Sequence, residues 1–338
     1  MADREAMFFE RREAGKIMCG LCAHHCLILP GKRGICGVRE NRDGTLFSLN
    51  YGRIVAAHVD PVEKKPLFHF MPGSTSFSMA SVGCNFKCGH CQNHTISQYP
   101  KEHGGEIAGD EITPDEIVKA ALNAGCKSIS YTYTEPTIFF EFALETAKIA
   151  RKRKLKNIFV SNGFTSETAA RAIAPYLDGN NIDLKSFSDG HYKKVCGARL
   201  QPVLDTIKLM KSLGVWIELT TLVIPGLNDT DAEFESIAGF IASVDKGIPW
   251  HVSRFHPAWK MMSIPPTPVE TLMRARAIGY RTGLAYVYIG NVPGIEGEDT
   301  LCPSCGSVAI KRRGYSVRSN LASGGKCPSC KTRIQGVW

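Results

Sequence analysis

Between residues 75 and 290 short apolar stretches alternate with amphipathic ones, and this beat limits the possible folds more than any other feature. "TSFSMASV" (75–82) is predicted to be a strand. "TPDEIVKAALNAG" (113–125) is predicted to be a helix: Thr113 is the N-cap, Pro114 takes the first helical position, Glu116 completes a capping box and Gly125 ends it. "KSISYTYT", "NIFVSN", "NIDLKSF", "VWIELTTLV", "WHVSRF" and "AYVYIGN" read as further strands. "TIFFEFALETAKIARKR", "SETAARAIAPYL", "PVLDTIKLMKSLG", "TDAEFESIAGFIASV" and "TPVETLMRARAIGYRTG" read as the helices between them, the fourth with a second Thr-x-x-Glu cap at Thr230 and Glu233. Six or seven consecutive βα units require a parallel sheet with helices outside it, either open or closed into a barrel. Such barrels carry function at the C-terminal ends of their strands. Glu135, Asn162, Asp183, Lys185 and His256 fall at or just past strand ends and are candidate site residues.

The flanks break the beat. Residues 1–74 hold a cysteine cluster and short β-like pieces. From about 300 the composition shifts to glycine, serine and basic residues around four cysteines. The expected organisation is an N-terminal metal-binding region (1–74), a core (75–295) and a small C-terminal module (296–338). The charged N-terminus lacks an apolar h-region, and no run approaches ~18 apolar residues, so neither a secretory signal nor a membrane span is expected and the cytoplasm is the expected location. A net charge of +9 invites a nucleic-acid reading, but the densest basic run, "RKRKLK" (151–156), falls where a helix should end. Cations are favoured there by the helix dipole, so charge does not single out nucleic acid and does not exclude it.

Of thirteen cysteines, eleven fall into three sets. Without a secretory signal, C-x₂-C pairs read as metal ligands rather than disulfides. Cys302, Cys305, Cys327 and Cys330 form two C-P-S-C knuckles 21 residues apart, the spacing of a zinc ribbon or of a mononuclear iron site. The metal there is read as structural, since so small a module lacks a core of its own. Cys19, Cys22, Cys26 and Cys36 close either a structural zinc site, the favoured reading, or a cubane iron–sulfur cluster, with His24 and His25 as bystanders. Cys126 and Cys196 stand apart and read as inert buried thiols.

The central set, "CNFKCGHC", holds only three cysteines: Cys84, Cys88 and Cys91. A third zinc site with His90 or His94 as fourth ligand is one reading. The other is a three-thiolate cubane with one open iron position, which suits catalysis, and the loop follows directly on the strand that opens the βα series.

C-x₃-C-x₂-C after the first strand of such a core resembles the radical S-adenosylmethionine (SAM) enzymes. The resemblance implies a (β/α)6 partial TIM barrel in which the three cysteines bind a [4Fe–4S] cluster and SAM chelates the fourth iron. An electron from the cluster then cleaves SAM to methionine and a 5′-deoxyadenosyl radical, which abstracts hydrogen. "YTYTEPT", "SNG" and "DLK" resemble the later strand motifs of the pyruvate formate-lyase activating enzymes. By that likeness Glu135 faces the methionine amino group, Asn162, Asp183 and Lys185 contact carboxylate and ribose, and His256 borders adenosine, with His251 competing for that place. His90 stands where the family commonly has an aromatic residue stacked near adenine.

The flanking "CGLCAHHC…CGVREN", "DPVEKKPLFHF" and terminal "GVW" look like the radical SAM member of the AmmeMemoRadiSam system. This implies a low-potential electron donor and, as candidate partners, Memo-like and AMME-domain proteins. It leaves the substrate open: a glycyl-radical activase reaction, or modification of RNA, a peptide or a small molecule. A zinc-stabilised nucleic-acid-binding protein is the competing function class, and it leaves Glu135, Asp183 and Lys185 unexplained.

Overall fold

The computed structural model describes residues 3–292, 294–295 and 297–338; the expected start of the C-terminal module, 296, lies outside them. Seven parallel strands form the core: β1 (Thr75–Ala80), β2 (Ser128–Tyr131), β3 (Lys156–Ser161), β4 (Gly179–Asp183), β5 (Trp216–Val223), β6 (Trp250–Arg254) and β7 (Val287–Gly290). They pair in sequence order, with Ser128–Tyr131 in register with Ser76–Met79 at the first pair. Each connection carries one longer helix: α1 (Pro114–Asn123), α2 (Phe140–Lys152), α3 (Glu167–Ile173), α4 (Gln201–Ser212), α5 (Asp231–Val244) and α6 (Val269–Arg281). The helices bury their apolar faces against outward residues such as Met79, Ile129, Phe159 and Ile182. This is the parallel α/β sheet expected from the βα beat, in the partial-barrel form that the resemblance implies.

Local chemistry explains most boundaries. Thr113 and Glu116 form the expected capping box on α1. At α5 only half of the box forms: Thr230 accepts from Glu233 N–H, but the Glu233 carboxylate accepts from Ser186 Oγ and Phe187 N–H. Glu233 thereby braces the loop after β4. The basic run does end a helix, with Arg151 and Lys152 in the last turn of α2.

An antiparallel edge strand, Ala56–Pro61, pairs with β1. The segment after it packs against β4 and β5, so residues 56–61 extend the core sheet and residues 68–70 pack on it. Backbone N–H groups of Phe68 and His69 donate to the buried Glu218 carboxylate at 2.9 and 2.8 Å. His251 Nε2 bonds the same carboxylate at 2.7 Å, and Phe70 packs where a Cβ on Gly179 would stand 2.9 Å away. Burial would raise the Glu218 carboxyl, but the hydrogen bond and charge of His251, with His69 and the Trp216 indole, hold it below its ordinary value. His251, the sequence competitor of His256, is therefore part of the barrel base.

The C-terminal module, a three-stranded antiparallel sheet, docks at this base. Arg312 Nη2 donates to the Phe68 carbonyl at 2.6 Å and its Nε lies 3.7 Å from Glu63. His69 bridges the Gln335 carbonyl and the Tyr288 hydroxyl. The N-terminal module, two small antiparallel sheets, is locked to α2 by a buried ion pair between Arg39 and Glu141. Among the described residues no helix is long and apolar enough to cross a membrane.

Candidate active site

Glu135, Asn162, Asp183 and Lys185 all gather with the three-cysteine loop at the C-terminal ends of β1 to β4. The loop turns at Gly83, whose φ of +102° suits glycine. Asn162 ties the first and third strand ends together: its Nδ2 donates to Asn85 Oδ1 at 2.7 Å and approaches Cys84 Sγ at 3.9 Å. Its Oδ1 accepts from Phe164 N–H at 2.9 Å.

Glu135 is buried and accepts from Thr137 N–H, Ser161 Oγ and Asn162 N–H at 2.8–3.0 Å. A carboxylate offers about four lone-pair positions, so one remains for a ligand cation. Burial still raises its pKa, against the pull of those donors. Lys185 Nζ donates to Asp183 Oδ2 at 2.8 Å. Burial alone would lower the lysine, but the charge of Asp183, then of Cys88, raises it well above its ordinary value. Lys185 is thus a fixed cation beside the thiolates.

Burial pushes the Cys84 thiol up, with the Glu135 charge adding to it. Cys91 is raised by burial and eased by Ser97, whose Oγ lies 3.4 Å from its Sγ. Cys88 is raised first by a hydrogen-bonding contact with Cys196, then by burial. Thiols so placed become thiolates only where a metal stabilises them. Around them His90 Nδ1, His94 Nδ1 and His191 Nε2 are buried without a hydrogen-bond partner. Burial holds His90 well below its usual pKa, so it is neutral. Three thiols, the Lys185–Asp183 ion pair, a buried carboxylate and unpaired imidazole nitrogens form a donor set that suits a thiolate-bound metal cluster with a zwitterionic ligand.

His256 lies exposed in the loop after β6, whereas the other four strand-end residues are wholly or partly buried. That loop carries residues the sequence reading passed over. Lys260 N–H donates to the Gly89 carbonyl at 3.0 Å, and Trp259 stacks on His94 at 5.5 Å. Cys196, read as inert, ends a π-helical turn (Tyr192–Cys196) whose carbonyls accept from Lys87 and Gly89 N–H. Its proximity to Cys88 had no signal in spacing, since more than a hundred residues separate them.

Residues 79–241 match the Radical SAM superfamily. An uncharacterized protein of Methanocaldococcus jannaschii is 48% identical over 337 residues, 99% of each chain. The isethionate sulfite-lyase activating enzyme of Nitratidesulfovibrio vulgaris is 24% identical over 184 residues, 51% of this chain and 56% of that one. In fold, a radical SAM methyltransferase from Sphaerobacter thermophilus superposes with a TM-score of 0.50 at 15% identity over 71% of each chain. The chain belongs to the radical SAM superfamily, a class of SAM-dependent iron–sulfur enzymes. Enzymes of this class use a [4Fe–4S] cluster to cleave SAM reductively and abstract hydrogen from a substrate, and a non-catalytic nucleic-acid-binding role is not favoured.

Proposed function

We propose that Cys84, Cys88 and Cys91 hold the [4Fe–4S] cluster, and that Glu135, Asn162, Asp183 and Lys185 hold SAM, with His90 and His256 bordering it. The observation that carries this reading is the convergence of Glu135, Asn162 and the Asp183–Lys185 pair on one three-cysteine loop. Bound there, the cluster supplies the electron that breaks the SAM sulfonium–carbon bond. The chain's own residues orient and charge-match the reactants. Glu135 accepts from an ammonium group, the Lys185 ammonium faces a carboxylate, and neutral His90 offers a face and an unpaired nitrogen to a flat ring. The loop carrying Trp259 packs on the cysteine loop through Lys260 and His94.

The radical formed is read as acting on a partner protein in the manner of an activating enzyme. Likeness to the isethionate sulfite-lyase activating enzyme supports this over RNA or small-molecule modification. The flanking motifs support a place in an AmmeMemoRadiSam system, with Memo-like and AMME-domain proteins as candidate partners, a low-potential electron donor and a cytoplasmic setting. Zinc is the proposed ion at Cys302, Cys305, Cys327 and Cys330, whose sulfurs approach to 3.6 Å.

Anaerobic reconstitution with iron and sulfide, followed by SAM and dithionite, should yield 5′-deoxyadenosine. Cys88→Ala should abolish that product while circular dichroism and C-terminal zinc stay unchanged. Product formation by the variant would sink the assignment.

A further inference from the structure

The cysteines of the N-terminal module have no part in the reaction just proposed, yet the fold seats them directly on the catalytic loop. Cys22 forms an isolated bridge with Thr165, just past β3, and Ser166 N–H donates to the Leu21 carbonyl at 3.1 Å. His24 Nε2 lies 2.8 Å from the carbonyl oxygen of Asn85, the residue after Cys84. On the other flank, a Cβ on Gly83 would stand 3.1 Å from the Cys36 carbonyl and 2.7 Å from Val38. Gly37 packs on Pro100 and Lys101, and Lys101 Nζ donates to the Cys84 carbonyl at 3.1 Å. The two cysteine sets therefore touch through residues that adjoin their own sulfurs.

Their sizes carry a second message. Zinc–thiolate bonds of about 2.3 Å put tetrahedral sulfurs about 3.8 Å apart. The C-terminal set has that size: its four sulfurs all lie within 4.8 Å of one another, and among the described residues no other set does. Cys84, Cys88 and Cys91 are more widely spread, and so are Cys19, Cys22, Cys26 and Cys36. The wider spacing suits a body broader than a single ion. Arg39, fully buried, reaches Cys19 Sγ with Nη1 at 3.8 Å, and a cationic donor on a ligand sulfur favours the reduced state of an iron–sulfur centre.

We propose that Cys19, Cys22, Cys26 and Cys36 hold a second [4Fe–4S] cluster that is the electron entry point for the SAM-cleaving site. The proposal rests on the radical SAM reading above. One electron leaves a reduced one-electron carrier of the ferredoxin or flavodoxin class and reduces the N-terminal cluster by one unit. The same electron crosses the contact between Cys36 and Gly83 and is consumed in breaking the SAM sulfur–carbon bond. No proton moves, and the entry cluster returns oxidised.

The first test uses the full chain with Cys84→Ser, Cys88→Ser and Cys91→Ser combined, reconstituted anaerobically with iron and sulfide. About four iron and four sulfide per chain should remain, with a dithionite-reduced electron paramagnetic resonance signal that SAM does not alter. Zinc in the N-terminal set and no iron overturns the proposal. This outcome is independent of whether the wild-type chain cleaves SAM, so the two readings fail separately. The second test compares SAM cleavage driven by a flavodoxin-class protein with cleavage driven by dithionite, in wild type and Arg39→Lys. The ratio of the two rates should fall about tenfold in the variant. An unchanged ratio overturns the entry role. If Arg39→Lys does not fold, Cys26→Ser, at the least buried of the four thiols, reads the same ratio.

Discussion

The two four-cysteine modules look alike in sequence and sit at opposite ends of the barrel. The C-terminal one docks at the N-terminal ends of the strands, through Arg312, Gln335 and Val337 on the segment that carries Phe68 and His69. The N-terminal one docks at the C-terminal ends, on the loops after β1 and β3. In the first, Cys305 and Cys330 are exposed and the sulfurs crowd to ion size. In the second, Cys19, Cys22 and Cys36 are buried and the module adjoins the three-cysteine loop. In barrels of this kind one end carries function and the other stability. Two sets of four cysteines therefore meet different parts of the barrel, one the segment at Phe68 and His69 and the other the strand-end loops.

The largest expected effect tests how the N-terminal module is held. Arg39→Met strands buried Glu141 and should cost about 3–5 kcal/mol in denaturant unfolding. Adding Glu141→Leu should recover most of the loss. A double variant no more stable than the single one would show that the module is held by something other than this pair.

Acid should separate the modules next. Burial lowers His69 from its ordinary value to about 4, so the folded chain refuses a proton that the unfolded chain accepts. Its contribution is complete above about pH 6.5 and is lost as pH falls toward 4, by about 3 kcal/mol at most. Because His69 binds the Gln335 carbonyl, protection of C-terminal amides from hydrogen exchange should fall in that window before the N-terminal ones do. His69→Asn should flatten the slope, and a slope unchanged in this variant would assign it to other groups.

Two glycines offer a smaller, matched contrast. Gly83→Ala places a methyl 2.7 Å from Val38 at a φ of +102° and should cost about 2–3 kcal/mol while loosening the N-terminal module from the cysteine loop. Gly73→Ala meets Val317 of the C-terminal module only at 3.5 Å, so its cost is the φ of +81° alone, about 1 kcal/mol. Equal losses in thermal unfolding would mean that the close approach at Gly83 is not a constraint. The smallest effect is chemical. Hydrogen bonding from Thr332 lowers the Cys330 thiol to about 6, so iodoacetamide should label it first in chelated protein. Cys36, pushed up to about 11 by burial, should be labelled well after it. Peptide mapping reads the order, and early labelling of Cys36 would contradict its burial.

Much of this was legible in the chain. Period and capping residues marked the βα series because each helix must bury one face and each parallel strand both. Cysteine spacing marked all three sets, and strand-end polarity picked out Glu135, Asn162, Asp183 and Lys185. Other features were not legible because they depend on contacts between distant segments. Glu233 forms half a cap because the loop after β4 offers it better donors. His251 pairs with Glu218 rather than lining the site because its side chain shares that carboxylate with Phe68 and His69. Cys196 lies against Cys88 only because a π-helical turn folds back onto the cysteine loop.

The sequence by itself determined the strand and helix order and the grouping of the cysteines, since these follow from local period and from spacing within a loop, while the reaction class followed from the likeness of its motifs to a known family. Only the tertiary structure decided which end of the barrel each four-cysteine module occupies, how far apart its sulfurs stand and which of them adjoins the catalytic loop. Those properties depend on distances between residues far apart in the chain, and no local pattern encodes them.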